Sequence, residues 1–567
     1  MVVVVDPEVD RSDHVAPTGR LERAAGPQHL ADGRSQEADR QLRRQRHRFD
    51  PTDRTEREVP ECGVGERELG RTGDEPPGAQ GVGGRHQPGE CVSLADLHTL
   101  VGGARELPLY HLVDQPGVQM RRHARERYGI AGPSVDVGVT AGVIEHRGHR
   151  AEETEMERIV VVGASLAGLR AAETLRNKGF EGRVVVVGAE RHMPYDRPPL
   201  SKKVLAGEWE PERALLRRLD DIGSLDVEWR LGAPAVGLDL AARSVRLDDT
   251  ELGFDALVIA CGASPKVLPG VELTDPDDDG PMITVLRTLD DSLALHRRLA
   301  DGDARVVVVG AGFIGLEVAA TARRLGNDVV VLEGASAPLV RALGEEMGAA
   351  ASAFHADHGT EIRCDVSVEG IDLDGVHLEG GEVVAADVVV IGVGVAPNTD
   401  WLDGSGVEIR DGIVCDETLA VTAADGSDTT GVYAAGDVTR WYHRLFDEEV
   451  RIEHWSNAAE QGAAAAGNLL AVAAGDDPTP YDEVPFFWSD QYDRRIQFLG
   501  RSSPDDEVRI VSGSPEERSF LALFGCDGRL RGALGLNVPR LVMPYRKLLA
   551  ERISWDDALA HAAETSG

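Results

Sequence analysis

The sequence predicts an α/β protein in which two parallel-sheet units of one design are followed by a smaller α+β domain. Three observations carry that expectation. "RIVVVGASLAGLRAAETLR", from Arg158, reads as a buried strand, a tight glycine turn and a helix. "RVVVVGAGFIGLEVAATARRLG", from Arg305, repeats the design. Beyond about residue 477, strands such as "RSFLALFG" and "RLRGALGL" alternate before a helix, "RLVMPYRKLLAER".

The totals bound what such a chain does. Its 567 residues suffice for three or four domains with real cores. A net charge of −37 argues against nucleic acid or an anionic membrane surface as the main partner. No run approaches the ~18 apolar residues of a membrane span, and the opening "MVVVV" is too short for a secretory signal core. The six cysteines, at 62, 91, 261, 364, 415 and 526, are scattered with no CxxC and no metal-ligand cluster. That usage fits a reducing compartment, so the expectation is a soluble, cytoplasmic protein without a metal site.

Residues 1–155 stand apart. They hold 21 Arg, no Lys, no Trp and nine of the chain's 17 His. Patches such as "RQLRRQRHRFDPTDRTERE" show neither the helical nor the strand period, so most of this stretch is expected to be disordered. An Arg-rich arm for a polyanion is disfavoured, because 27 Asp and Glu make the segment net negative. Met156 stands directly before the first regular strand. A start assigned upstream of the natural one accounts for both features.

The two glycine turns share one physics. In the first the fingerprint positions are Gly163, Ser165 and Gly168; in the second they are Gly310, Gly312 and Gly315. The first glycine makes the turn, the second admits a pyrophosphate close to the backbone, and the third lets helix meet strand. The helix N-terminus then faces the phosphate charge. Ser165 departs from the pattern: its hydroxymethyl narrows the approach, while its hydroxyl can donate to a phosphate oxygen. Each turn is followed by a second strand ending in an acid, Glu190 in "RVVVVGAE" and Glu333 in "DVVVLEGA". Such a carboxylate bonds ribose hydroxyls and repels a 2′-phosphate, so Glu333 predicts NADH rather than NADPH. The fold class is therefore two Rossmann-like dinucleotide-binding domains plus the C-terminal α+β domain.

Further segments occur in order: "PYDRPPLSK" (194–202), "LVIACGASPKVLPG" (257–270), "LRTLDD" (286–291), "GVYAAGDV" (431–438), "RIEHWSNAAEQG" (451–462) and "PFFWSDQYDRRIQFLG" (485–500). With the two turns, they resemble the FAD-dependent ferredoxin and rubredoxin reductases that serve bacterial cytochromes P450 and Rieske oxygenases, within the pyridine nucleotide-disulphide oxidoreductase superfamily. The resemblance covers residues 156–567. It implies FAD on the first turn, NAD(H) on the second, and electrons passed from NADH through FAD to a ferredoxin or rubredoxin-like carrier.

The resemblance also implies roles. Gly163, Ser165, Ala167 and Gly168 line the FAD pyrophosphate, with Ala189 and Glu190 at the adenosine ribose and Ala235 passing the adenine. Arg197 and Lys202, in "YDRPPLSK", belong to the flavin side, Lys202 beside N5; the competing reading of Lys202 is a solvated surface lysine. Arg287 matches a flavin-side contact, with an inter-domain salt bridge as the alternative. Asp437 matches the carboxylate on the ribitol chain, and Trp455 the position flanking the ring or a core aromatic. Glu317, in "GFIGLE", matches a carboxylate near Lys202 and the nicotinamide; its other reading is a helix-start acid favoured by the macrodipole. Gly394 lets backbone approach the nicotinamide end of NAD. Lys202 and Glu317 are the candidate catalytic pair, where a lysine–glutamate pair at the ring fixes geometry and compensates charge.

Disulphide-using relatives carry a cysteine or CxxxxC near the first unit, where this chain reads "PYDRPPLSKKVLAGEW". Cys261 has no partner nearby in sequence and reads as packing rather than redox. Hydride is therefore expected to pass directly from NADH to flavin and to leave as single electrons.

The domain expectation is residues 156–268 and 397–476 for FAD, 269–396 for NAD, with a hinge at "TDPDDDGP" (274–281), and 477–567 for the reductase C-terminal domain. An acidic carrier would dock on a locally basic patch, with Arg440, His443, Arg444, Arg494 and Arg495 as candidates. The competing functions are an NADH oxidase, a nitrite-reductase component, a small-acceptor reductase, or a redox-responsive flavoprotein that signals rather than turns over.

Overall fold

The computed structural model describes residues 156–275, 278 and 280–565. The expectations for residues 1–155 lie outside these, as does part of the 274–281 hinge. Strand β1 (Arg158–Val162) is the centre of the first sheet. Ala256–Ile259 and then Val432–Ala434 lie on one side of it, Arg183–Gly188 and then Glu228–Leu231 on the other, all parallel. The valine runs are buried from end to end, as expected where both faces of a parallel sheet are covered. β1 ends at Gly163, whose φ of +126° and closeness to Ala260 O, 2.0 Å from an added Cβ, admit only glycine. Helix α1 (Leu166–Asn177) follows.

The second sheet repeats the plan. Strand β2 (Arg305–Val309) lies between Asp328–Leu332 and Val388–Ile391, with Glu361–Arg363 and Met282–Thr284 at the edges. Gly310 turns at φ +106° into helix α2 (Phe313–Arg324). The chain crosses between the sheets through a two-stranded antiparallel ribbon, Ala263–Pro265 against Val395–Pro397. The strand that closes the first sheet, Val432–Ala434, comes after the whole second sheet, so the second unit is threaded into the first.

Helix α3 (Trp455–Ala473) returns along the first unit and leads to the last domain. There β3 (Phe486–Gln491) begins a five-stranded antiparallel sheet that continues through Arg494–Gly500, Arg529–Leu536, Ser519–Cys526 and Glu507–Ser514. The strand period of two divides its side chains between two cores. Ile496, Phe498, Phe520, Phe524 and Leu534 pack with Leu316 and Phe354 of the second unit. Leu499, Leu521, Leu523 and Ala533 pack with Val542, Tyr545, Leu549 and Trp555 of the C-terminal helices. The single helix expected across 540–552 is two, Pro539–Val542 and Tyr545–Ala550, because Pro544 has no N–H to continue the first. No described helix is long and apolar enough to cross a membrane.

Helices α1 and α3 touch backbone to backbone. A Cβ on Gly462 would lie 2.2 Å from Ala167 O. Gly462→Ala should therefore force the helices apart and cost about 1–3 kcal/mol, read as a lower melting temperature. A variant as stable as the wild type would show that the helices part without strain.

Candidate active site

A single cleft of about 1380 Å³ runs from the first glycine turn to the second. Its wall includes Gly163, Ser165, Ala167, Ala189, Glu190 and Ala235 of the first unit, and Gly310, Gly312, Glu333 and Gly394 of the second. Between them stand Arg197, Lys202, Arg287, Glu317, Asp437 and Trp455. Gly168 and Gly315 are not in the wall: added Cβ atoms there would meet Gly163 O at 1.8 Å and Gly310 O at 2.2 Å, so they serve helix–turn closure.

The residues fit two dinucleotides. Both helices that start on the cleft lack a side-chain cap, at Ser165 and at Gly312, so their first N–H groups are left to a ligand. A Cβ at Gly312 would meet nothing within 4 Å, which leaves bare backbone facing open space with room for a phosphate.

At its middle is a knot of charge. Lys202 Nζ lies 2.6 Å from Glu317 Oε2, with the two side chains only 15% and 8% exposed. Lys202 also donates to Pro198 O at 3.2 Å and to Ser201 Oγ at 3.4 Å. Ser201 Oγ donates to Glu317 Oε2 at 2.5 Å, and Ser489 Oγ to Oε1 at 2.5 Å. A charge this buried persists only when paired and hydrogen-bonded, so neither residue is a free surface group. The lysine follows a short helical turn made by "PPLS", and the glutamate comes from the second turn of α2, past the helix start where the macrodipole would favour an acid.

A second ion pair spans the units. Arg287 Nη2 donates to Asp437 Oδ2 at 2.8 Å, an ion pair of the kind weighed for Arg287, with a partner the sequence did not name. Arg287 O accepts from Arg197 Nη1 at 2.5 Å, and Arg197 Nη2 donates to Glu190 Oε1 at 2.6 Å. Tyr195 OH bonds the other Glu190 oxygen and accepts from Leu289 N at 3.1 Å. Trp455 Nε1 donates to Asp196 Oδ1 at 2.7 Å. Burial raises the Asp196 carboxyl above its usual range, against the pull of Trp455 and Lys202. Trp455 is thus held by its indole N–H at the cleft wall.

On the nucleotide side of the second turn, Glu333 accepts Ala311 N at 2.6 Å and Ala335 N at 2.9 Å, bracing the glycine loop. Arg341 lines the same end of the cleft and pairs with no carboxylate among the described residues. Cys261 is packed, its Sγ 3.2 Å from Asn398 O, and burial pushes its thiol up to about 11. No described cysteine is disulphide-bonded.

Each arginine named for the docking patch is balanced by a neighbouring carboxylate, and its histidine is not at the surface. Arg440 pairs with Glu449, Arg444 with Asp482, Arg494 with Asp493 and Arg495 with Asp490. His443 is fully buried. The strand Thr439–His443 turns Thr439, Trp441 and His443 inward, a period that "TRWYH" already carries. Reading from sequence missed Tyr195, Asp196, Ser201, Arg341 and Ser489. Ser201 and Ser489 lie within quoted segments, but their shared target is 116 and 172 residues away.

Burial lowers His355 and His443 from about 6.5 to about 4. The unfolded chain takes up protons near 6.5 that the native one refuses until about 4, so stability should fall as pH drops through this window, by up to ~3 kcal/mol per histidine. His443→Asn should show a shallower loss of melting temperature between pH 6.5 and 4 than the wild type. Equal slopes would contradict the assignment.

Known proteins share this arrangement. Residues 157–462 match the pyridine nucleotide-disulphide oxidoreductase family, and residues 486–566 the reductase C-terminal family. The ferredoxin--NAD(+) reductase component of the anthranilate 1,2-dioxygenase system of Burkholderia cepacia is 37% identical over 398 residues, 69% of this chain and 93% of that protein. The crystal structure of Fdr9 aligns with a TM-score of 0.64 and 40% identity, covering 71% of this chain and 97% of that one. The covalent putidaredoxin reductase–putidaredoxin complex aligns with a TM-score of 0.65 and 30% identity, covering 72% of this chain and 99% of that one. The chain belongs to the pyridine nucleotide-disulphide oxidoreductase family, as a member that carries the reductase C-terminal domain.

Proposed function

We propose that this protein is an NADH-dependent FAD flavoprotein reductase that passes electrons to a ferredoxin-type one-electron carrier. The observation that carries the reading is the cleft joining two dinucleotide turns, with the buried Lys202–Glu317 pair between them and, among the described residues, Cys261 as the one cysteine in its wall. A flavin supplies two-electron acceptance coupled to one-electron release. The first turn, Glu190, Arg197, Arg287, Asp437 and Trp455 hold FAD; the second turn, Glu333 and Gly394 hold NAD(H). Lys202 and Glu317 fix the geometry where the two meet and exclude water from it.

In this reading the FAD domain comprises 156–268 and 397–476, the NAD domain 269–396, and 477–567 the C-terminal domain. The anthranilate relative is named a ferredoxin--NAD(+) reductase component, and the aligned structure is a reductase joined to putidaredoxin, which supports a small protein carrier of the ferredoxin type here. The free thiols of Cys261, Cys364, Cys415 and Cys526 support a cytoplasmic setting.

The test is cytochrome c reduction by the full chain with NADH or NADPH, with and without a 2Fe–2S ferredoxin. The reading predicts a strong acceleration by ferredoxin and preference for NADH. Flavin bleaching that ferredoxin leaves unaccelerated would move the acceptor elsewhere, and preference for NADPH would overturn the role of Glu333.

A further inference from the structure

Strand β3 points Phe487, Ser489 and Gln491 at the second unit. Phe487 packs against Phe313 of α2, ring centroids 4.7 Å apart. Ser489 donates to Glu317 Oε1, Gln491 Nε2 lies 2.9 Å from Ser489 Oγ, and His355 Nε2 lies 2.8 Å from Gln491 Oε1. Ser489, Gln491 and His355 are buried, and none of them lines the cleft. A chain of hydrogen bonds thus stands behind Glu317, outside the cleft wall.

Its direction is fixed from the carboxylate end. A carboxylate only accepts, so the one Ser489 hydrogen goes to Glu317. Ser489 therefore accepts from Gln491, whose amide nitrogen must face it and whose oxygen must face His355. His355 then carries its hydrogen on Nε2, and burial keeps the ring neutral, its pKa lowered to about 4. Every donor in the chain points toward Glu317. It is no proton path, because the Gln491 amide relays none and His355 Nδ1 has no partner beyond it among the described residues.

We propose that Ser489, Gln491 and His355 are positioning residues for the hydride-transfer site, holding the Glu317 carboxylate so that its other oxygen fixes Lys202. The proposal rests on the reading of this cleft as that site. Among the described residues Ser489 is the hydrogen-bond donor to Oε1, so its loss leaves a buried carboxylate oxygen bare. The carboxylate then turns to find another donor and releases Lys202 from its place.

The experiment compares full-length wild type, Ser489→Ala, Ser489→Thr, Gln491→Met and Glu317→Gln. Anaerobic bleaching of the flavin by NADH should slow about ten- to a hundredfold in Ser489→Ala with the flavin retained, and Ser489→Thr should restore most of the rate. In the Glu317→Gln background the loss should not multiply, because the chain acts through that carboxylate. A second readout needs no turnover: in flavin-free protein, acetylation of Lys202 followed by peptide mass spectrometry should be several-fold faster in Ser489→Ala, with the exposed Lys203 unchanged. Gln491→Met, which spares the serine–glutamate bond, should show the same signs more weakly and serves if Ser489→Ala does not fold. Wild-type rates with unchanged Lys202 labelling, or losses that multiply with Glu317→Gln, would overturn the proposal. A wild type whose flavin NADH does not bleach would instead overturn the proposed function and leave the labelling result to judge the chain.

Discussion

The carboxylate of Glu317 is the point on which the active cleft depends. Three stretches distant in sequence end on it: the "PPLSK" turn through Ser201 and Lys202, helix α2 itself, and strand β3 through Ser489. Burying one negative charge is costly, and removing any single partner leaves the others uncompensated. The first unit, the second unit and the C-terminal domain are thereby held in one register at the middle of the cleft. Packing alone would leave that register to the looser fit of apolar surfaces.

Two further constraints tie the units together along the cleft. The Arg287–Asp437 pair ties the second unit back to the strand end that closes the first sheet, and Arg197 extends it to Glu190. The ribbon of Ala263–Pro265 and Val395–Pro397 carries the chain across and back in register. Glycine enters where it has to: Gly163 and Gly310 turn with positive φ against carbonyls that leave no room for a side chain. Uncapped helix starts, ion pairs and ribbon together line one groove that runs from the first glycine turn to the second.

How much of this the sequence shows depends on the range over which the physics acts. The glycine turns and their valine strands are local, so the two units and their candidate ligands were legible, and so were Lys202 and Glu317 as separate motifs. That Ser201 and Ser489 share one carboxylate is a fact of tertiary folding, with no local period to announce it. Arg287 and Asp437 were each singled out, yet their pairing lies across 150 residues. His443 was misplaced for the opposite reason: the strand period of "TRWYH" pointed it inward, and charge in its neighbours drew the reading outward. Pro544 had likewise signalled the break in the helix expected across 540–552.

The most direct measurement is the anaerobic rate at which NADH bleaches the flavin of Lys202→Met. The account requires the flavin to stay bound, since Lys202 is one contact among many along the cleft, and bleaching to slow about a hundredfold because the geometry at the meeting point is lost. Bleaching at the wild-type rate would contradict it and would place the encounter of the two cofactors away from the Lys202–Glu317 pair.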